Sequence, residues 1–341
     1  MKALVLGGTG SISREIVEQL VAGGHETTVY NRGQRDTGLP PQVSKIIGDR
    51  FNYSAFEAQM AEHRFDVVFD MISYNAEDMA SALRAFTGRV GHLIVTSSIA
   101  CYKRPFRKLP PIPEEGNEYF DDPSNAYGYN KALLEQYLFA QIPKLKDLKV
   151  TMVRPSLTFG KGGNNLGIFR QNYGLVKRIR DGKPVVLFGD GQTPMSFSFT
   201  PDVARGYVLI AGNPKAYGQV YHLNSMEYTT WQDLYRTIGR VAAGKEPEIV
   251  HIATDLLLAA APELNGHLYH DKQWVNLFDA SKAGRDLGFS CRLTVADGLK
   301  WLIDWWDAGH DQLVKQDVDR FEDELVALYR KWEKEIAGKL S

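Results

Sequence analysis

The chain has 341 residues, of which 44% are hydrophobic and 24% are charged, the composition of an ordinary globular protein. Its 40 basic and 41 acidic residues leave a net charge of −1, which gives no long-range field for nucleic acid or for a membrane surface. The two cysteines, Cys101 and Cys291, lie far apart and define no disulfide framework, which suits the cytoplasm, and no apolar run reaches the roughly 18 residues of a membrane span.

The first hundred residues alternate between short apolar runs and helical patterns. Residues 3–6 form a run typical of a buried parallel strand, and residues 12–21 follow with helical spacing. Further strands are predicted at 27–30, 46–47, 66–72, 92–96 and 149–153. This alternation predicts an α/β fold with a Rossmann-type, doubly wound parallel sheet covered by helices on both faces.

Beyond Pro155 the pattern changes to longer helical stretches, which are predicted near 175–179, 201–212, 229–243, 294–307 and 311–338. We expect residues 1–160 to form the dinucleotide-binding Rossmann domain, with returning segments near 196–225. Residues 161–195 and 226–341 are expected to form a smaller substrate lobe and the C-terminal helices. The last stretch is amphipathic, so it is expected to pack against its own chain or against the partner of a homodimer.

A glycine-rich turn at residues 7–13, with the sequence GGTGSIS, joins the first strand to the first helix. A dinucleotide needs a tight turn at this point, close approach of the backbone to its pyrophosphate, and a helix N-terminus directed at it. Gly7 and Gly10 meet the first two needs, while Ser13 stands at the third glycine position. Glycine turns also end strands in proteins without a cofactor, but this placement favours cofactor binding. The expected contacts are Gly7, Thr9, Gly10, Ser11 and Ile12.

The residues after the second strand predict which nicotinamide cofactor binds. An acid there bonds the ribose hydroxyls of NAD, whereas an arginine suits the 2′-phosphate of NADP. The chain has Asn31 and Arg32 and no acid before Asp36, so NADP is favoured and NAD is the alternative. Asp49 is an expected contact for the adenine amino group. Further cofactor contacts are expected at Arg50, Ile72, Ser73, Ser97 and Pro155.

Tyr127 and Lys131 stand four residues apart in a helical run, which places both side chains on one face. A tyrosine titrates near ~10, so proton transfer near neutrality needs adjacent positive charge to favour the phenolate. The ammonium of Lys131 and the nicotinamide ring both supply it, and Lys131 can also hold the ribose. The hydroxyl groups that end the fifth strand, at residues 96–98, can orient a substrate oxygen. Tyr-x-x-x-Lys alone occurs by chance, but together with the glycine loop it predicts an active site.

The sequence resembles the extended short-chain dehydrogenases, the NAD-dependent epimerase/dehydratase family. The resemblance rests on GGTGSIS at 7–13, Gly48-Asp49, VTSSIACY at 95–102, YGYNK at 127–131, RPSLTFGKG at 154–162, FGDG at 188–191, PDVA at 201–204 and DLGF at 286–289. It implies that Tyr127 is the catalytic acid/base, that Lys131 is its partner, and that Ser98, rather than Ser97, orients the substrate. It also implies that residues 156–165 line the cofactor and the substrate.

Within that segment, Asn164 and Asn165 are the expected substrate contacts, together with Ser98 and Tyr127. The chain departs from the family at the arginines that hold a nucleotide diphosphate. Met195 stands at the position of one, and the other is not apparent, with Tyr269, His270 and Lys272 as the nearest candidates. Arg178, in a basic helix, is therefore our candidate for a relocated anion contact, and a solvated helix is the alternative. No metal site is expected.

The favoured hypothesis is an enzyme of the epimerase/dehydratase type that acts on a carbinol of a small sugar or sugar-like substrate. One alternative is an NADP-dependent reductase or dehydrogenase of a non-nucleotide compound. Another is a non-catalytic NADP-binding or RNA-associated protein, because GGTG with Asn-Arg-Gly after the second strand is also similar to chloroplast stem-loop RNA-binding proteins. The complete Ser/Tyr/Lys set and the balanced charge disfavour this last alternative.

Overall fold

The computed structural model describes residues 1–34, 38–163 and 165–340, and the chain divides into two compact units. Unit 1 comprises Met1–Gly160, Ser198–Met226 and Phe278–Arg292. Unit 2 comprises Lys161–Phe197, Glu227–Leu277 and Leu293–Ser341. The segment Phe278–Arg292, which the sequence analysis placed in the second lobe, thus packs within unit 1. A substrate-binding role for unit 2 stays a prediction.

The first part of the chain contains seven strands and four helices: β1 (Lys2–Leu6), α1 (Ser11–Ala22), β2 (Glu26–Asn31), β3 (Ser44–Ile47), α2 (Tyr53–Ala61), β4 (Phe65–Asp70), α3 (Ala76–Phe86), β5 (Val90–Thr96), α4 (Ala126–Gln141), β6 (Lys149–Arg154) and β7 (Leu157–Phe159). The remaining elements are α5 (Tyr173–Arg180), β8 (Val185–Phe188), β9 (Pro194–Phe199), α6 (Thr200–Ile210), β10 (Val220–His222), β11 (Tyr228–Thr230), α7 (Trp231–Ala243), β12 (Ile249–Ile252), α8 (Thr254–Ala260), α9 (Ser281–Leu287), α10 (Val295–Asp307) and α11 (Gln316–Leu340).

Unit 1 is built on a seven-stranded sheet with the strand order β10-β6-β5-β4-β1-β2-β3. Every neighbouring pair in this sheet is parallel. The predicted fold class, a doubly wound α/β fold with a Rossmann-type sheet, is confirmed. The seventh strand, β10, was not predicted because three residues are too short to show a periodic pattern; it pairs with Met152–Arg154 of β6.

The sheet is covered on both faces, and the alternation of side chains along β1 shows how. Ala3 and Val5 belong to a core cluster with α1 and α6, whereas Leu4 and Leu6 belong to the opposite cluster with α2, α3 and α4. All four of these side chains are fully buried. A parallel strand with helices on both faces must be apolar at every position, which is why its sequence reads as a continuous apolar run.

Unit 2 contains two pairs of short strands. Strand β12 pairs in parallel with β8, and all four residues of β8 are buried. Strand β11 pairs antiparallel with β9, so that Thr229 lies opposite Met195. A π-helical turn covers Asn265–Lys272. No helix within the described residues is long and apolar enough to cross a bilayer.

Candidate active site

The glycine loop after β1 makes the tight turn that a dinucleotide requires. Gly7 and Gly8 have φ values of +107° and +80°, which residues with a Cβ rarely adopt. A Cβ on Gly8 would lie 2.5 Å from Val29 Cγ1, so the loop packs directly on β2. The Gly7 amide donates to the Tyr30 carbonyl at 2.9 Å, which continues the strand pairing into the turn.

Ser13, at the position of the third glycine, closes the first turn of α1. Its hydroxyl oxygen accepts from the Gly10 amide at 2.9 Å, and its side chain is 4% exposed. The hydroxyl therefore satisfies one of the amides that a helix N-terminus leaves without a partner. This departure from the glycine pattern is accommodated by a hydrogen bond instead of by close packing.

The N-terminus of α1 fits the pyrophosphate of a dinucleotide. Thr9, Ser11 and Ile12 are partly exposed around it, and only Ser13 Oγ lies within 4 Å of a Cβ built on Gly10. The first backbone amides of a twelve-residue helix carry partial positive charge, so an anion is stabilised there. The Ile72 side chain lies against the other side of the loop, 3.3 Å from a Cβ built on Gly7.

Asn31 fixes the end of β2 to the glycine loop. Its side-chain amide donates to the Gly7 carbonyl at 3.1 Å, and its oxygen accepts from the Gly33 amide at 2.9 Å. Arg32 follows with an exposed side chain. Asp36, the first acid after β2, lies outside the described residues. The arrangement presents an exposed cation at the position where a 2′-phosphate would bind.

The two predicted contacts after β3 differ in exposure. Asp49 is exposed, and its carboxylate accepts from the Phe51 amide at 3.0 Å. Arg50 is 2% exposed, its guanidinium lies 4.2 Å from the centre of the Phe56 ring, and it donates to Ser73 and to the Asp78 carbonyl. The structure thus gives Arg50 a role in joining the ends of β3, β4 and α3, and its predicted contact with a cofactor stays a prediction.

Lys131 is held beneath the ends of two strands. Its ammonium donates to the carbonyls of Ser73 and Thr96, both at 2.7 Å, and the residue is 2% exposed. Ser73 is itself fixed because its hydroxyl donates to Asp70 at 2.6 Å. The loop after β4 and the end of β5 therefore meet at this one ammonium group. Asp70 is a residue that the sequence analysis did not single out.

Burial lowers the pKa of Lys131 to about 8, and the carboxylates of Asp70, Glu135 and Asp78 oppose this shift. Because the ammonium is bound by neutral carbonyls and not by a carboxylate in contact, the charge remains available to a neighbouring group. A lysine with a lowered pKa, held on one face of a helix with a tyrosine, is typical of acid–base sites.

Tyr127 lies one helical turn before Lys131 and is 51% exposed. The start of α4 packs closely on the turn that follows Ser98: a Cβ on Gly128 would lie 2.7 Å from the Ala100 carbonyl oxygen. Ser98 caps that turn by accepting from the Ala100 amide at 3.1 Å. The sequence analysis did not identify Gly128 as important for the site, although this residue lies inside the YGYNK motif. Its lack of a side chain lets the helix of Tyr127 approach the turn of Ser98.

Ser97 and Pro155, two further predicted cofactor contacts, lie at the ends of neighbouring strands. Ser97 is buried and its amide donates to the Val153 carbonyl at 2.8 Å, while the Pro155 carbonyl accepts from the Ile99 amide at 3.3 Å. Both residues are therefore placed at the carboxyl edge of the sheet, where α/β folds bind ligands. Their contacts with a cofactor stay predictions.

A buried ion pair, which the sequence analysis did not predict, joins α4 to the end of β6. Arg154 at the end of β6 binds both carboxylate oxygens of Glu135, which is one helical turn beyond Lys131. The two side chains are 4% and 0% exposed. Arg154 also donates to the Tyr102 hydroxyl at 2.6 Å. Two charged residues more than a dozen positions apart give no local pattern, so only the fold brings them together.

The predicted substrate contacts after Gly160 belong to unit 2. Asn164 lies outside the described residues, and Asn165 is partly exposed. Met195 is 1% exposed within β9, so it offers neither a donor nor a surface to an anion.

Arg178 is 2% exposed, and its guanidinium pairs with Asp319 at 2.8 Å, Asp323 at 2.8 Å and Glu322 at 3.4 Å. It anchors α11, and its predicted contact with a substrate stays a prediction. Because Arg178 is buried, the alternative of a solvated helix is wrong at this position.

The NAD dependent epimerase/dehydratase family matches residues 3–224 of the chain. The chain belongs to this family. The predicted enzyme class, an NAD(P)-dependent epimerase/dehydratase or oxidoreductase of the extended short-chain dehydrogenase type, is confirmed at this level, and dependence on a nicotinamide cofactor comes with it. The preference for NADP over NAD and the individual site residues stay predictions.

The names of two relatives describe different functions, one of binding and one of reduction. The chloroplast stem-loop binding protein of 41 kDa b of Arabidopsis thaliana is 26% identical over 73% of this chain, but the match spans only 65% of the relative's length. The 2′-dehydrokanamycin reductase of Streptomyces kanamyceticus is 25% identical over 82% of this chain and 77% of the relative.

Among solved structures, UDP-glucose 4-epimerase of Thermotoga maritima, determined with UDP-glucose, has a TM-score of 0.73 and 20% identity. The superposition covers 91% of this chain and 99% of that chain. At this identity the likeness shows the shared fold alone.

Proposed function

We propose that this protein transfers hydride between NADP(H) and a carbinol or carbonyl carbon of a sugar-like substrate that is not anchored through a nucleotide diphosphate. The observation that carries the proposal is the pairing of an exposed Tyr127 with a buried, carbonyl-bound Lys131 on one helix in unit 1. A protein that only binds a nucleotide gains nothing from burying an ammonium group there, because burial of the charge costs free energy.

The cofactor would be held by the glycine loop and the N-terminus of α1, with Arg32 at the 2′-phosphate and Asp49 at the adenine. Lys131 would bind the nicotinamide ribose, and Ser73, Ser97 and Pro155 would line its pocket. When bound, the nicotinamide supplies the acceptor or donor of the hydride. The open N-terminus of α1 and the exposed cation at Arg32 are the features that fit NADP(H).

Tyr127 would move the proton that accompanies the hydride. In the oxidative direction its phenolate takes the hydroxyl proton of the substrate, and in the reductive direction its hydroxyl returns that proton to the carbonyl oxygen. Lys131, one helical turn away, favours the phenolate electrostatically. Ser98, which the packing of Gly128 brings next to this turn, would hold the same substrate oxygen by a hydrogen bond.

The substrate would lack the usual diphosphate anchor. Met195 cannot donate a hydrogen bond and is buried, and Arg178 is neutralised by the carboxylates of α11. The relative from Streptomyces is named for the reduction of 2′-dehydrokanamycin, which favours a net reductase of a sugar-like carbonyl compound over a self-recycling epimerase. Asn164 and Asn165 remain the proposed substrate contacts. The cytoplasm is the proposed compartment of the enzyme.

Turnover of a substrate panel tests the proposal. Nucleotide sugars and non-nucleotide keto-sugars should be offered with NADPH, and oxidation of NADPH followed. Tyr127→Phe should reduce turnover by about 10²-fold or more while cofactor affinity stays within a few fold. Tyr129→Phe, on the same helix, is the matched control and should keep near wild-type turnover. Wild-type turnover in Tyr127→Phe, or turnover of nucleotide sugars alone, would contradict the proposal.

Cofactor titration tests the proposed preference separately. Arg32→Ala should weaken NADP(H) binding by one to two decades, because a charge-assisted contact is worth roughly 1.5–3 kcal/mol, and should leave NAD(H) binding unchanged. Calorimetry of both cofactors with both proteins gives the four affinities. Tighter binding of NAD(H) than NADP(H) by the wild type, or NAD retained through purification, would point instead to an epimerase that recycles its cofactor.

A further inference from the structure

A cavity of about 330 Å³ lies in unit 1, separate from the proposed catalytic residues. We name it the β10 cavity, because Gly218, Gln219 and Val220 at the start of β10 form part of its wall. Its other important lining residues are Tyr102, Glu114, Glu115, Tyr119, Phe139 and Lys282. Neither Tyr127 nor Lys131 lines it, and none of the predicted cofactor or substrate contacts does. Its volume is at the lower end of the range typical of small-molecule sites.

The feature that distinguishes this cavity is the carboxylate of Glu114. The residue is 6% exposed, and one of its oxygens accepts from the His222 amide at 3.1 Å. The cations nearby are bound elsewhere: Lys282 pairs with Glu115 at 2.6 Å, and Arg154 pairs with Glu135. Among the described residues, Glu114 therefore has no cation within ion-pair distance, although a buried carboxylate is stabilised chiefly by such a partner.

Arg154 makes this arrangement rigid without neutralising Glu114. Its guanidinium donates to the backbone carbonyl of Glu114 at 2.7 Å and to the Tyr102 hydroxyl at 2.6 Å. Because both of its remaining interactions are with Glu135, no donor of Arg154 is directed to the Glu114 carboxylate. Burial consequently raises the pKa of Glu114. The carboxylate is held in place outside any ion pair among the described residues, and the charge of Lys282, which also lines the cavity, opposes the rise in pKa.

The remaining walls suit an organic cation. Tyr119 and Phe139 contribute two aromatic rings, and such rings attract ammonium groups through the negative charge of their faces. The ring of Tyr102 is already covered by the Arg154 guanidinium and by Phe278. Phe139 is 39% exposed, so its ring is accessible from the cavity. The amide side chains of Asn117 and Gln219 add groups that hydrogen-bond to hydroxyls.

We propose that the β10 cavity is a second ligand site that takes a small protonated amine bearing hydroxyl groups, with its ammonium bound to Glu114 and packed against the aromatic walls. This site is independent of the proposed hydride transfer, because its residues take no part in that chemistry. Lys282 and Glu115 form an ion pair at its edge.

Calorimetry on the full-length protein with two matched probes tests this inference. Glucosamine should bind at a pH that keeps its amine protonated. Glucose should bind at least about tenfold more weakly, because it has a neutral hydroxyl group in place of the ammonium group. Glu114→Gln keeps the acceptor for the His222 amide and should weaken glucosamine about tenfold or more, with no change for glucose. Glu26→Gln removes a charge elsewhere in unit 1 and should bind glucosamine as the wild type does.

Inorganic phosphate serves as the opposing probe. Phosphate binding that is lost in Lys282→Ala would identify an anion site and overturn the inference. Equal binding of glucosamine and glucose, equal binding of glucosamine by the wild type and Glu114→Gln, or no binding of glucosamine would also overturn it. If Glu114→Gln does not fold, Phe139→Ala replaces it: this half-exposed ring can be removed without opening the core, and glucosamine affinity should fall at least threefold.

Discussion

Lys131 in unit 1 and Arg178 in unit 2 are two buried cations that are satisfied in different ways. Lys131 in unit 1 donates to two backbone carbonyls at 2.7 Å. Arg178 in unit 2 is surrounded by the carboxylates of Asp319, Glu322 and Asp323. Both residues are 2% exposed. The difference is therefore not the depth of burial but the charge of the partners.

The partners decide what each cation can do. Burial lowers the pKa of Lys131 to about 8, since neutral carbonyls do not compensate fully for lost water. Burial also acts to lower the pKa of Arg178, but the combined attraction of its carboxylates raises it above the ordinary value. A buried cation without a carboxylate in contact remains available for chemistry, whereas one enclosed by carboxylates holds two elements together. Four substitutions sharpen or break this comparison.

The largest effect is expected from removing the cation in unit 2. Arg178→Met should destabilise the protein by about 3–5 kcal/mol, because it leaves the buried carboxylate of Glu322 without its cationic partner. Denaturant unfolding measures this free energy. Arg180→Met on the same helix removes a more exposed pair with Asp307 and should cost under about 1 kcal/mol. Equal losses in the two variants would show that the carboxylates around Arg178 do not depend on it.

Lys131→Met should separate activity from stability. We expect turnover to fall by about 10²-fold or more. The unfolding free energy at neutral pH should change by less than about 2 kcal/mol, because loss of two hydrogen bonds is offset by relief of a burial cost of roughly 3 kcal/mol. Activity assays and thermal unfolding give the two quantities, with Lys45→Met on exposed β3 as the control. A loss of stability as large as that of Arg178→Met would remove the distinction drawn between the two cations.

Glu322 should make the stability of unit 2 depend on pH. Burial raises the pKa of Glu322 to about 7, although Arg178 opposes the shift. The folded state therefore retains a proton that the unfolded state has lost. The unfolding free energy should fall by about 1–3 kcal/mol as the pH rises from the ordinary glutamate value, about 4.3, to about 7.

Unfolding at a series of pH values checks this slope, and Glu322→Gln should remove this component of it. Lys131 provides the contrast: its folded pKa lies below its unfolded value, so its burial cost is fully present below about pH 8 and declines above it. A pH profile unchanged by Glu322→Gln would mean that the carboxylate stays charged in the folded protein.

The smallest effect is expected at the approach of α4 to the turn of Ser98. Gly128→Ala places a Cβ 2.7 Å from the Ala100 carbonyl oxygen, so it should destabilise by about 1–3 kcal/mol and reduce turnover. Gly338→Ala, in α11, meets nothing within 4 Å and should be neutral or slightly stabilising. An unchanged turnover in Gly128→Ala would show that the close approach is not needed for the site.

Much of the site could be predicted because its signals are local. The turn of Gly7, the spacing of Tyr127 and Lys131, and the serines after β5 are each contained within one strand–helix connection or one helical turn. Arg50 and Arg178 could not be interpreted in the same way. A basic residue beside a glycine-rich or helical segment has the same local pattern whether it faces solvent or the core.

The sequence by itself determined the alternation of strands and helices over the first hundred residues and the parallel sheet, and it predicted where a cofactor loop and an acid–base pair would lie. These follow from periodicity and from the conformational demands of glycine, which act over a few residues. Only the tertiary structure decided which charges are paired. It pairs Arg154 with Glu135 and Arg178 with carboxylates of α11, and among the described residues it gives Glu114 no ion pair. The physical reason is that the energy of a charge depends on partners that are distant in sequence and on the water that folding removes.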